Sequence, residues 1–551
     1  MTVEKPITDH IAIWSSALQT RSTAGRGSNG KIDLYGIKKL RELILELAVR
    51  GKLVPQDPND KPASELLKRI AAEKAELVKQ GKIKKQKLLP EISEDEKPFE
   101  LPEVWEWVRL SDISEYIQRG KGPKYAEHGS VKVVSQKCVQ WSGFKLEQSR
   151  WITDESIHSY TKDRFLKDGD VLWNSTGAGG TAGRVIYLPV VKEKLVVDSH
   201  VTLIRTVRDN GKFISNYIST YGIQQRFDPK HSNTLLSGTT NQAELNSSVV
   251  NSFLVPFPPQ REQERINDKA AELMSLCDQL EQQSLTSLDA HQQLVETLLA
   301  TLVDSQHAEE LAENWARISQ HFDTLFTTEA SIDAIKQTIL QLAVMGLLIE
   351  SAEFSQRSHL KKYLSFGPKN GLSPSEVKYE TDVKVLKLGA TSYGYLKLQE
   401  TKYVDIDVKD KSYLFLKKND ILIQRGNSSN FVGCSLLIEE DFDDLIYPDL
   451  MMKIRTKDEL LPEYAVLWLS SPFARDFMWS KMTGTSGTMP KISKKVVEEI
   501  PIAVPPFAVQ NQLVIKIKEL FLLCGSLTSR LQSVQKTQLH LADALTDAAL
   551  N

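Results

Sequence analysis

Residues 258–280, PPQREQERINDKAAELMSLCDQL, and residues 505–527, PPFAVQNQLVIKIKELFLLCGSL, are two copies of one pattern. The positions that match are Pro258/Pro505, Pro259/Pro506, Gln263/Gln510, Leu273/Leu520, Cys277/Cys524 and Leu280/Leu527. After the glutamine, apolar residues recur at alternating spacings of three and four, which places them on one side of a helix. The pattern predicts two long helices, over residues 260–303 and 508–549.

The apolar stripe of the C-terminal helix is nearly continuous. It runs through Leu513, Ile517, Leu520, Cys524, Leu527, Leu531, Val534, Leu541 and Leu545. In the first copy the stripe runs through Ile266, Ala270, Leu273, Cys277 and Leu280, is interrupted at Ser284, Ser287 and His291, and resumes at Leu294 and Leu298. A heptad stripe is buried against another helix. We expect the two helices to pack on each other, with an intermolecular coiled coil as the alternative.

The duplication extends over most of the chain. Residues 40–54, LRELILELAVRGKLV, match residues 335–349, IKQTILQLAVMGLLI, and further matched pairs are Asp170/Asp420, Gly183/Gly433 and Arg205/Arg455. The helix starts differ, because Val509 and Asn511 stand where the first copy has Glu262 and Glu264. Two of the four cysteines occupy the same repeated position, which predicts a packing role for them.

Each half also contains a globular segment of short β-rich runs separated by Gly, Asn, Ser and Thr. We therefore expect an α+β fold in which two repeated α/β domains are joined by the long helices. The predicted organisation is an N-terminal extension (1–31), a repeat helix with a charged insert (32–100), a first domain (101–257), a central region with a long helix and a repeat helix (258–357), a second domain (358–506) and the C-terminal long helix (507–551).

The charged insert at 55–99 has no counterpart in the second half. It is predicted to form a helix and a solvated linker. Its basic run, Lys84, Lys85 and Lys87, is interpreted as a solvated face, with phosphate contact as the alternative.

The composition excludes several classes of protein. The chain has 551 residues, of which 41% are hydrophobic and 25% charged, as in a globular protein of several domains. No apolar run approaches the roughly 20 residues of a membrane span and no signal peptide is evident, so we expect a cytoplasmic protein without a membrane partner. The cysteines form no C-x-x-C motif, which argues against a zinc site. The net charge of -2 means that any nucleic-acid-binding surface must be local.

Residues 174–183, NSTGAGGTAG, contain a relaxed form of the dinucleotide-binding fingerprint. Residues 184–188, RVIYL, are β-forming and are followed by a proline, so no helix N-terminus is available for a pyrophosphate. The sequence also lacks a phosphate-binding G-x-x-x-x-G-K-[ST] loop and the Asn/Asp-Pro-Pro-aromatic motif of amino-methyltransferases. We expect a chain with no catalytic centre, no metal site and no cofactor of its own.

Three groups of residues carry a resemblance to a known family. They are Ser237-Gly-Thr followed by Pro256-Phe-Pro-Pro-Gln-Arg-Glu-Gln263, the second copy Ser486-Gly-Thr followed by Val504-Pro-Pro-Phe-Ala-Val-Gln510, and Leu101-Pro-Glu-Val-Trp-Glu-Trp-Val-Arg-Leu110 leading into Gly120-Lys-Gly-Pro123. Their tandem order resembles the specificity subunit of type I restriction–modification enzymes. The resemblance covers nearly all of the chain after residue 32.

The resemblance implies two target-recognition domains held apart by two antiparallel coiled-coil helices. Each domain is expected to read one half of a split double-stranded DNA sequence. In that family the subunit recruits two modification subunits, which bind S-adenosylmethionine and methylate adenine. In the full enzyme it also recruits restriction subunits, which translocate and cleave DNA with ATP and magnesium.

Base and phosphate recognition requires Arg, Lys, Asn, Gln, Ser or Thr on loops. The candidates in the first domain are Arg119, Lys121, Lys124, Gln136, Lys137, Asn174, Ser175, Thr176, Asn233, Thr239, Thr240 and Asn241. Those in the second domain are Lys369, Asn370, Ser392, Tyr393, Gln424, Arg425, Asn427, Thr483, Thr485 and Lys491. The alternative function is a scaffold whose two domains bind protein partners and read no DNA.

Overall fold

A computed structural model describes residues 7–21, 31–86, 88–177, 180–208, 210–238, 243–349, 356–484 and 489–550. The chain divides into two compact units. The first consists of Met1–Leu18, Leu34–Gln283 and Gln538–Asn551, and the second of Gln19–Asp33 and Ser284–Thr537. Each unit contains one of the two globular domains, and the two long helices contribute residues to both.

The described helices and strands follow each other in chain order. The helices are α1 (Ile11–Ser16), α2 (Tyr35–Val49), α3 (Ala63–Lys79), α4 (Leu110–Ile113), α5 (Asp154–His158), α6 (Gly211–Ile218), α7 (Tyr221–Gln225), α8 (Ser247–Ser252), α9 (Gln260–Val303), α10 (Ala308–Gln320), α11 (Phe322–Leu325), α12 (Glu329–Met345), α13 (Pro462–Ser470), α14 (Pro472–Ser480), α15 (Lys494–Glu498) and α16 (Phe507–Leu550). The strands are β1 (Gln19–Arg21), β2 (Lys31–Asp33), β3 (Glu106–Arg109), β4 (Ser114–Arg119), β5 (Lys132–Val134), β6 (Val139–Gln140), β7 (Gly143–Phe144), β8 (Arg150–Trp151), β9 (Val171–Asn174), β10 (Val185–Tyr187), β11 (Leu195–Val197), β12 (Val201–Thr206), β13 (Leu254–Phe257), β14 (Ser358–His359), β15 (Leu364–Asn370), β16 (Lys384–Leu386), β17 (Thr401–Tyr403), β18 (Ile421–Gln424), β19 (Ser435–Leu437), β20 (Leu445–Ile446), β21 (Met451–Thr456) and β22 (Pro501–Ile502).

The two globular domains have the same sheet topology. A four-stranded antiparallel sheet has the order β10-β9-β12-β4 in the first domain and β19-β18-β21-β15 in the second. A three-stranded sheet accompanies each of them, β11-β5-β8 and β20-β16-β17, with the same parallel pair in both copies. A two-stranded pair, β13-β3 or β22-β14, completes each domain. The predicted repeated α+β fold is confirmed.

The matched aspartates are buried and form ion pairs with the matched arginines; the side chain of Arg205 is buried, whereas that of Arg455 is 39% exposed. Asp170 is 0% exposed and accepts two hydrogen bonds of 2.7 Å, from Nε and Nη2 of Arg205. Asp420 is equally buried and accepts from Arg455 and, at 2.9 Å, from Nζ of Lys453. Burial lowers the pKa of Lys453, although the ion pair opposes that shift. Each pair joins two adjacent strands, which explains why both residues recur in the two halves.

The matched glycines lie at the turns before β10 and β19. Gly183 has a φ of 93° and Gly433 a φ of 84°, in the left-handed region that favours glycine. A β-carbon on Gly183 would lie 2.6 Å from the ring of Phe227, and one on Gly433 would lie 2.8 Å from Met478. Both turns therefore require glycine for its conformation and for its small size.

The repeated Pro-Pro and Gln residues fix the starts of the long helices. Gln263 Nε2 donates to the Pro258 backbone oxygen at 2.9 Å, and Gln510 Nε2 donates to that of Pro505 at the same distance. Both glutamines are buried. Proline cannot donate a backbone hydrogen bond, and its oxygen needs a partner when it is buried. The glutamine side chain supplies that partner at both helix starts.

The first helix start contains a polar contact that the second lacks. Glu262 is 1% exposed and accepts hydrogen bonds from Trp105 Nε1, at 3.0 Å, and from Gln56 Nε2. Burial raises the pKa of Glu262. In the second copy Val509 packs against the hydrophobic core of its unit. The expected difference between the helix starts is confirmed: Glu262 has polar partners in Trp105 of the first domain and in Gln56 of the unrepeated insert.

The long helices α9 and α16 confirm the predicted spans. The first-unit core contains Ile266, Ala270, Leu273, Cys277 and Leu280 of α9 together with Ala542 and Leu545 of α16. The second-unit core contains Val295, Leu299 and Leu302 of α9 together with Leu513, Ile517 and Cys524 of α16. Because the start of each helix shares a core with the end of the other, the helices are antiparallel. Burial raises the pKa of the Cys277 thiol to about 11, in keeping with a packing role.

The predicted stripe is wrong at three positions. Leu294, Val534 and Leu541 are 50%, 52% and 44% exposed, whereas Val295 and Ala542 beside two of them are buried. A straight helix rotates by about 20° per heptad relative to a strict seven-residue repeat. The buried face therefore moves to a neighbouring residue toward the end of each helix.

The N-terminal extension contributes to the first-unit core. Trp14 of α1 is 0% exposed, and the Gly36 N–H of α2 donates to the Ala17 oxygen at 2.9 Å. In the insert, α3 confirms the predicted helix, and Lys84 and Lys85 are exposed whereas Lys87 lies outside the described residues. No helix in the described ranges has the length and apolarity needed to cross a membrane.

The buried ion pairs predict a difference between the two domains. We expect Asp170→Ala and Asp420→Ala each to lower the free energy of unfolding by about 3–5 kcal/mol, because a buried cation loses its partner. The loss should be larger for Asp420→Ala, which leaves both Lys453 and Arg455 unpaired. Hydrogen exchange at the amides of β9 and β18 measures each effect separately.

A matched control is Asp443→Ala, because Asp443 is 94% exposed and its surface pair with Lys417 contributes below about 1 kcal/mol. Equal protection of β18 in Asp420→Ala and Asp443→Ala would contradict a stabilising role for the buried pair.

Candidate nucleic-acid interface

Several loops of the first domain meet at one end of its large sheet. The antiparallel register places Arg119, the last residue of β4, opposite Thr202 of β12. It also places Asn174, the last residue of β9, opposite Val201 of β12. The loops that follow β4 and β9 and the loop that precedes β12 therefore start from the same edge. We call this edge of the first domain the reading end.

Side chains connect the loops at the reading end. Arg119 donates from Nε to the backbone oxygen of Ser199 at 3.0 Å and from Nη1 to Glu244 Oε2 at 2.9 Å. Thr176 Oγ1 and His200 Nδ1 lie 2.6 Å apart. The structure thus brings together two predicted residues, Arg119 and Thr176, with three that the sequence analysis did not select.

Asn174 and Ser175 lie beneath this surface and are 0% exposed. Asn174 Nδ2 donates to three backbone oxygens at 3.2–3.3 Å, those of Gln136, Val139 and Thr181. Ser175 Oγ bonds with Thr202 Oγ1. We therefore correct the prediction for Asn174 and Ser175: their side chains hold the turn from inside and do not reach the surface in this conformation.

The other predicted residues of the first domain are more accessible. Lys121, Lys124, Lys137 and Asn233 are exposed and Gln136 is half-buried. Lys121 Nζ donates to the Ser159 oxygen at 2.8 Å, and Lys124 Nζ pairs with Glu155 at 3.0 Å. Asn233 belongs to the turn after α7, where its backbone oxygen accepts a hydrogen bond from Arg226 Nε at 3.0 Å. Thr239, Thr240 and Asn241 lie outside the described residues.

The second domain has the same arrangement at the corresponding end of its sheet, which we call the second reading end. Asn370, the last residue of β15, and Gln424, the last residue of β18, lie opposite Met452 and Met451 of β21. Lys491 forms isolated bridges with Gly426 and Thr483, as Glu244 does with Thr176 and Ser237 in the first domain. The two domains therefore share one frame of converging loops.

Gln424 takes the supporting role that Asn174 has in the first domain. It is 0% exposed, and its Nε2 donates to the Leu388 oxygen, Thr391 Oγ1 and Ser392 Oγ at 3.0–3.1 Å. Its Oε1 accepts from Asn427 Nδ2 at 2.7 Å. We correct the prediction for Gln424 as well, because its polar atoms are all directed into the domain.

The remaining predicted residues of the second domain line its reading end or the loops beside it. Tyr393 is 59% exposed, and the Lys397 ammonium lies 4.1 Å from the centre of its ring. Lys369, Thr483 and Lys491 are exposed, and Asn370, Ser392, Arg425 and Asn427 are half-buried. Thr485 lies outside the described residues. An exposed tyrosine beside a lysine offers both a stacking face and a positive charge.

The sequence analysis missed Ser199, His200, Glu244 and Lys397. Ser199 and His200 could have been selected from the sequence because they directly precede β12, at the edge where β9 ends. Glu244 was not selected because its carboxylate is negatively charged, like the phosphate groups of DNA. Burial raises the pKa of Asp198, which accepts from the His200 N–H at 2.8 Å and so holds His200 in place.

Both reading ends carry hydrogen-bond donors and acceptors on rigid strand ends. Such a surface can contact base edges and phosphates. In the described ranges, no group of three or more His, Cys, Asp or Glu side chains is placed to bind a metal ion. Residues 185–187 form β10, which confirms that a strand, not a helix, follows the glycine-rich turn.

Comparison with known proteins identifies the family. A family model described as the type I restriction modification DNA specificity domain matches residues 102–290 and 368–535. The chain belongs to this family. The two matched segments of this specificity subunit each contain one reading end and the start of one long helix.

Full-length relatives carry the same assignment. The specificity subunit is 44% identical to the type I restriction enzyme EcoEI specificity subunit of Escherichia coli, over 100% of both chains. It is 41% identical to the EcoAI specificity subunit of Escherichia coli, again over 100% of both chains. The crystal structure of the HsdS subunit from Thermoanaerobacter tengcongensis shares 15% identity over 83% of this chain and 98% of its own, with a TM-score of 0.39.

The two kinds of residue at the reading ends predict different effects of substitution. We expect Asn174→Ala to lower the free energy of unfolding by about 1–3 kcal/mol, because three backbone oxygens lose a donor inside the domain. Lys121→Ala, at an exposed position of the same domain, should change stability by less than about 0.5 kcal/mol. Urea denaturation of the two variants measures the difference. Equal midpoints would contradict the supporting role of Asn174.

Proposed function

We propose that this specificity subunit reads a bipartite sequence in double-stranded DNA, with one half-site bound at each reading end. The observation that carries the proposal is the repeated frame of converging loops, which holds a different set of polar side chains in each domain. Two copies of one frame suit two segments of the same kind of ligand. Different side chains on that frame suit two different base sequences.

We infer that the ligand is DNA from the family to which the chain belongs and from the side chains at the reading ends. A duplex is contacted by cations and amide or hydroxyl groups on loops, and both ends provide them. The chain's net charge of -2 gives little overall attraction to DNA. Binding therefore depends on these local surfaces and, in the assembled enzyme, on the partner subunits.

The chemistry of the enzyme is proposed to lie on other chains. Two modification subunits would supply S-adenosylmethionine and methylate adenine, and restriction subunits would use ATP and magnesium to translocate and cleave DNA. This chain would contribute sequence recognition and binding surfaces for those subunits. We place the assembly in the cytoplasm, where its DNA target and ATP are found.

The alternative is a scaffold that binds only proteins. It requires no particular side chains at the two sheet ends, whereas both ends here carry polar groups that reach the surface, and the second also has an exposed aromatic ring beside it. The exposed ring of Tyr393 beside Lys397 is the clearest of these. A scaffold would give the assembled complex no salt-dependent affinity for a specific DNA sequence.

Domain exchange tests the reading function. Replacing residues 101–257 with the equivalent domain of a relative that has a different target should change one half of the methylated motif and leave the other half intact. Sequencing of methylated adenines in cells that carry the chimera and the modification subunit gives the result. Exchange of residues 358–506 is the matched control and should change the opposite half.

If both halves of the motif changed together in either chimera, the two domains would not be independent readers. If neither chimera changed the motif, this chain would not determine the sequence.

The absence of a catalytic role is tested by calorimetry. We expect the purified chain to bind neither S-adenosylmethionine nor ATP, because the sequence lacks a phosphate-binding G-x-x-x-x-G-K-[ST] loop and the Asn/Asp-Pro-Pro-aromatic motif of amino-methyltransferases. The complex with the modification subunit is the positive control for S-adenosylmethionine. Tight stoichiometric binding of either compound to the chain alone would overturn the assignment.

A further inference from the structure

Backbone hydrogen bonds align the two reading ends residue by residue. The Ser175 N–H donates to the His200 oxygen at 2.9 Å, and the Arg425 N–H donates to the Leu450 oxygen at 2.8 Å. The Ser175 oxygen accepts from the Leu245 N–H at 2.7 Å, as the Arg425 oxygen accepts from the Ile492 N–H at 2.9 Å. Ser175 and Arg425 therefore occupy one position of the frame, and His200 and Leu450 occupy another.

The same bonds make Glu244 and Lys491 equivalent. Glu244 exchanges both backbone hydrogen bonds with Ser237, at 2.9 and 3.0 Å, and Lys491 exchanges both with Thr483 at the same distances. Glu244 also bridges to Thr176, and Lys491 bridges to Gly426. A carboxylate in one domain thus stands where the other domain has an ammonium group.

The frame is shared, but its side chains have opposite chemistry. At six equivalent positions the first domain has Arg119, Ser175, Thr176, His200, Ser237 and Glu244, and the second has Asn370, Arg425, Gly426, Leu450, Thr483 and Lys491. In the first domain the formal charges of Arg119 and Glu244 cancel. In the second, Arg425 and Lys491 give two positive charges. Glu244 and Lys491, at which the charge is reversed, both reach solvent.

The Glu244 carboxylate is held in place and remains accessible. Its side chain is 43% exposed, and Arg119, itself anchored to Ser199, donates to only one of its oxygens. An ionised carboxylate is purely an acceptor of hydrogen bonds. The surface of a duplex is rich in phosphate oxygens, which repel it, so its favourable partner on DNA is an amino group on a base.

Arg425 and Lys491 offer the complementary chemistry in the second domain. Within the described residues, Nε of Arg425 is buried and has no hydrogen-bond partner. The stem of Lys491 lies over Gly426, where an added β-carbon would come within 3.0 Å of Lys491 Cγ. The glycine leaves room for this stem beside the arginine. Two donors are thereby placed at the position that Glu244 and Ser175 occupy in the first domain.

We propose that Glu244 is a specificity-determining residue of the first half-site, where its carboxylate accepts a hydrogen bond from the exocyclic amino group of a cytosine. Arg425 and Lys491 are its counterparts in the second half-site and donate to the O6 and N7 acceptors of guanine. This inference rests on the proposed reading function. Carboxylate to cytosine N4, and arginine or lysine to guanine, are the pairings that base-edge geometry favours in the major groove.

The test uses the full chain co-expressed with its modification subunit. Domain exchange first assigns one half-site to residues 101–257. Glu244→Gln is then introduced, which keeps the size of the side chain but adds donors and removes the charge. We expect discrimination against other bases at one position of the assigned half-site to fall at least tenfold, with the other half-site unchanged. Lys491→Gln should relax one position of the opposite half-site.

Glu193→Gln is the matched control, because Glu193 is a partly exposed glutamate of the same domain that pairs with Lys132 away from the reading end. It should leave the methylated motif unchanged. Thermal denaturation and co-purification with the modification subunit show whether Glu244→Gln is folded and assembled.

Each result decides the proposal. A folded, assembled Glu244→Gln variant that methylates the wild-type motif with undiminished selectivity would overturn the role of Glu244. Equal loss of methylation at all sequences, without a change in selectivity, would overturn it too, since a phosphate contact or a packing role gives that result. If domain exchange leaves the motif unchanged, the proposed reading function fails, and that outcome is distinct from failure of the Glu244 proposal.

Discussion

The pairing of a buried aspartate with an arginine on the neighbouring strand of the sheet is the constraint on which each domain depends. Removing a charge from water is expensive, and it is tolerated only where the partner and further hydrogen bonds are in place. Asp170 and Asp420 satisfy this condition with Arg205 and Arg455, and each also accepts from the backbone three residues earlier. The pairing fixes which strands are neighbours and in which register. That register in turn decides which loops meet at the reading end.

A fixed frame with exchangeable side chains explains how one fold can serve two recognition tasks. Asn174 and Gln424 support the frame from inside, and their burial leaves them no direct role at the surface. The surface positions differ in charge, size and hydrogen-bonding capacity without disturbing the backbone bonds beneath them. Stability and selectivity are therefore carried by different residues, which allows one to change while the other is preserved.

Features that recur in the chain could be predicted from the sequence, because the fold imposes the same requirement twice. The long helices, the glutamine at each helix start and the packing role of Cys277 belong to this group. The direction of a polar side chain in a loop was not predictable: Asn174 and Gln424 have the composition of a contact surface but are directed inward. Leu294 and Val534 were misassigned because a seven-residue pattern does not follow the true helical repeat. Glu244 was missed because residue type alone favours cations for a polyanion.

The contact of Glu262 with Trp105 and Gln56 makes the first half of the duplicated chain different from the second half. A duplicated gene can recombine with itself wherever its two copies are alike. An exchange at the helix start would place a carboxylate in the apolar surroundings of Val509, or would leave the Trp105 indole without its acceptor. Both products lose stability, and an exchanged first domain keeps this contact only if it carries a tryptophan at the position of Trp105. The asymmetry therefore disfavours recombination between the two helix starts, and it couples the first domain to the helix that follows it.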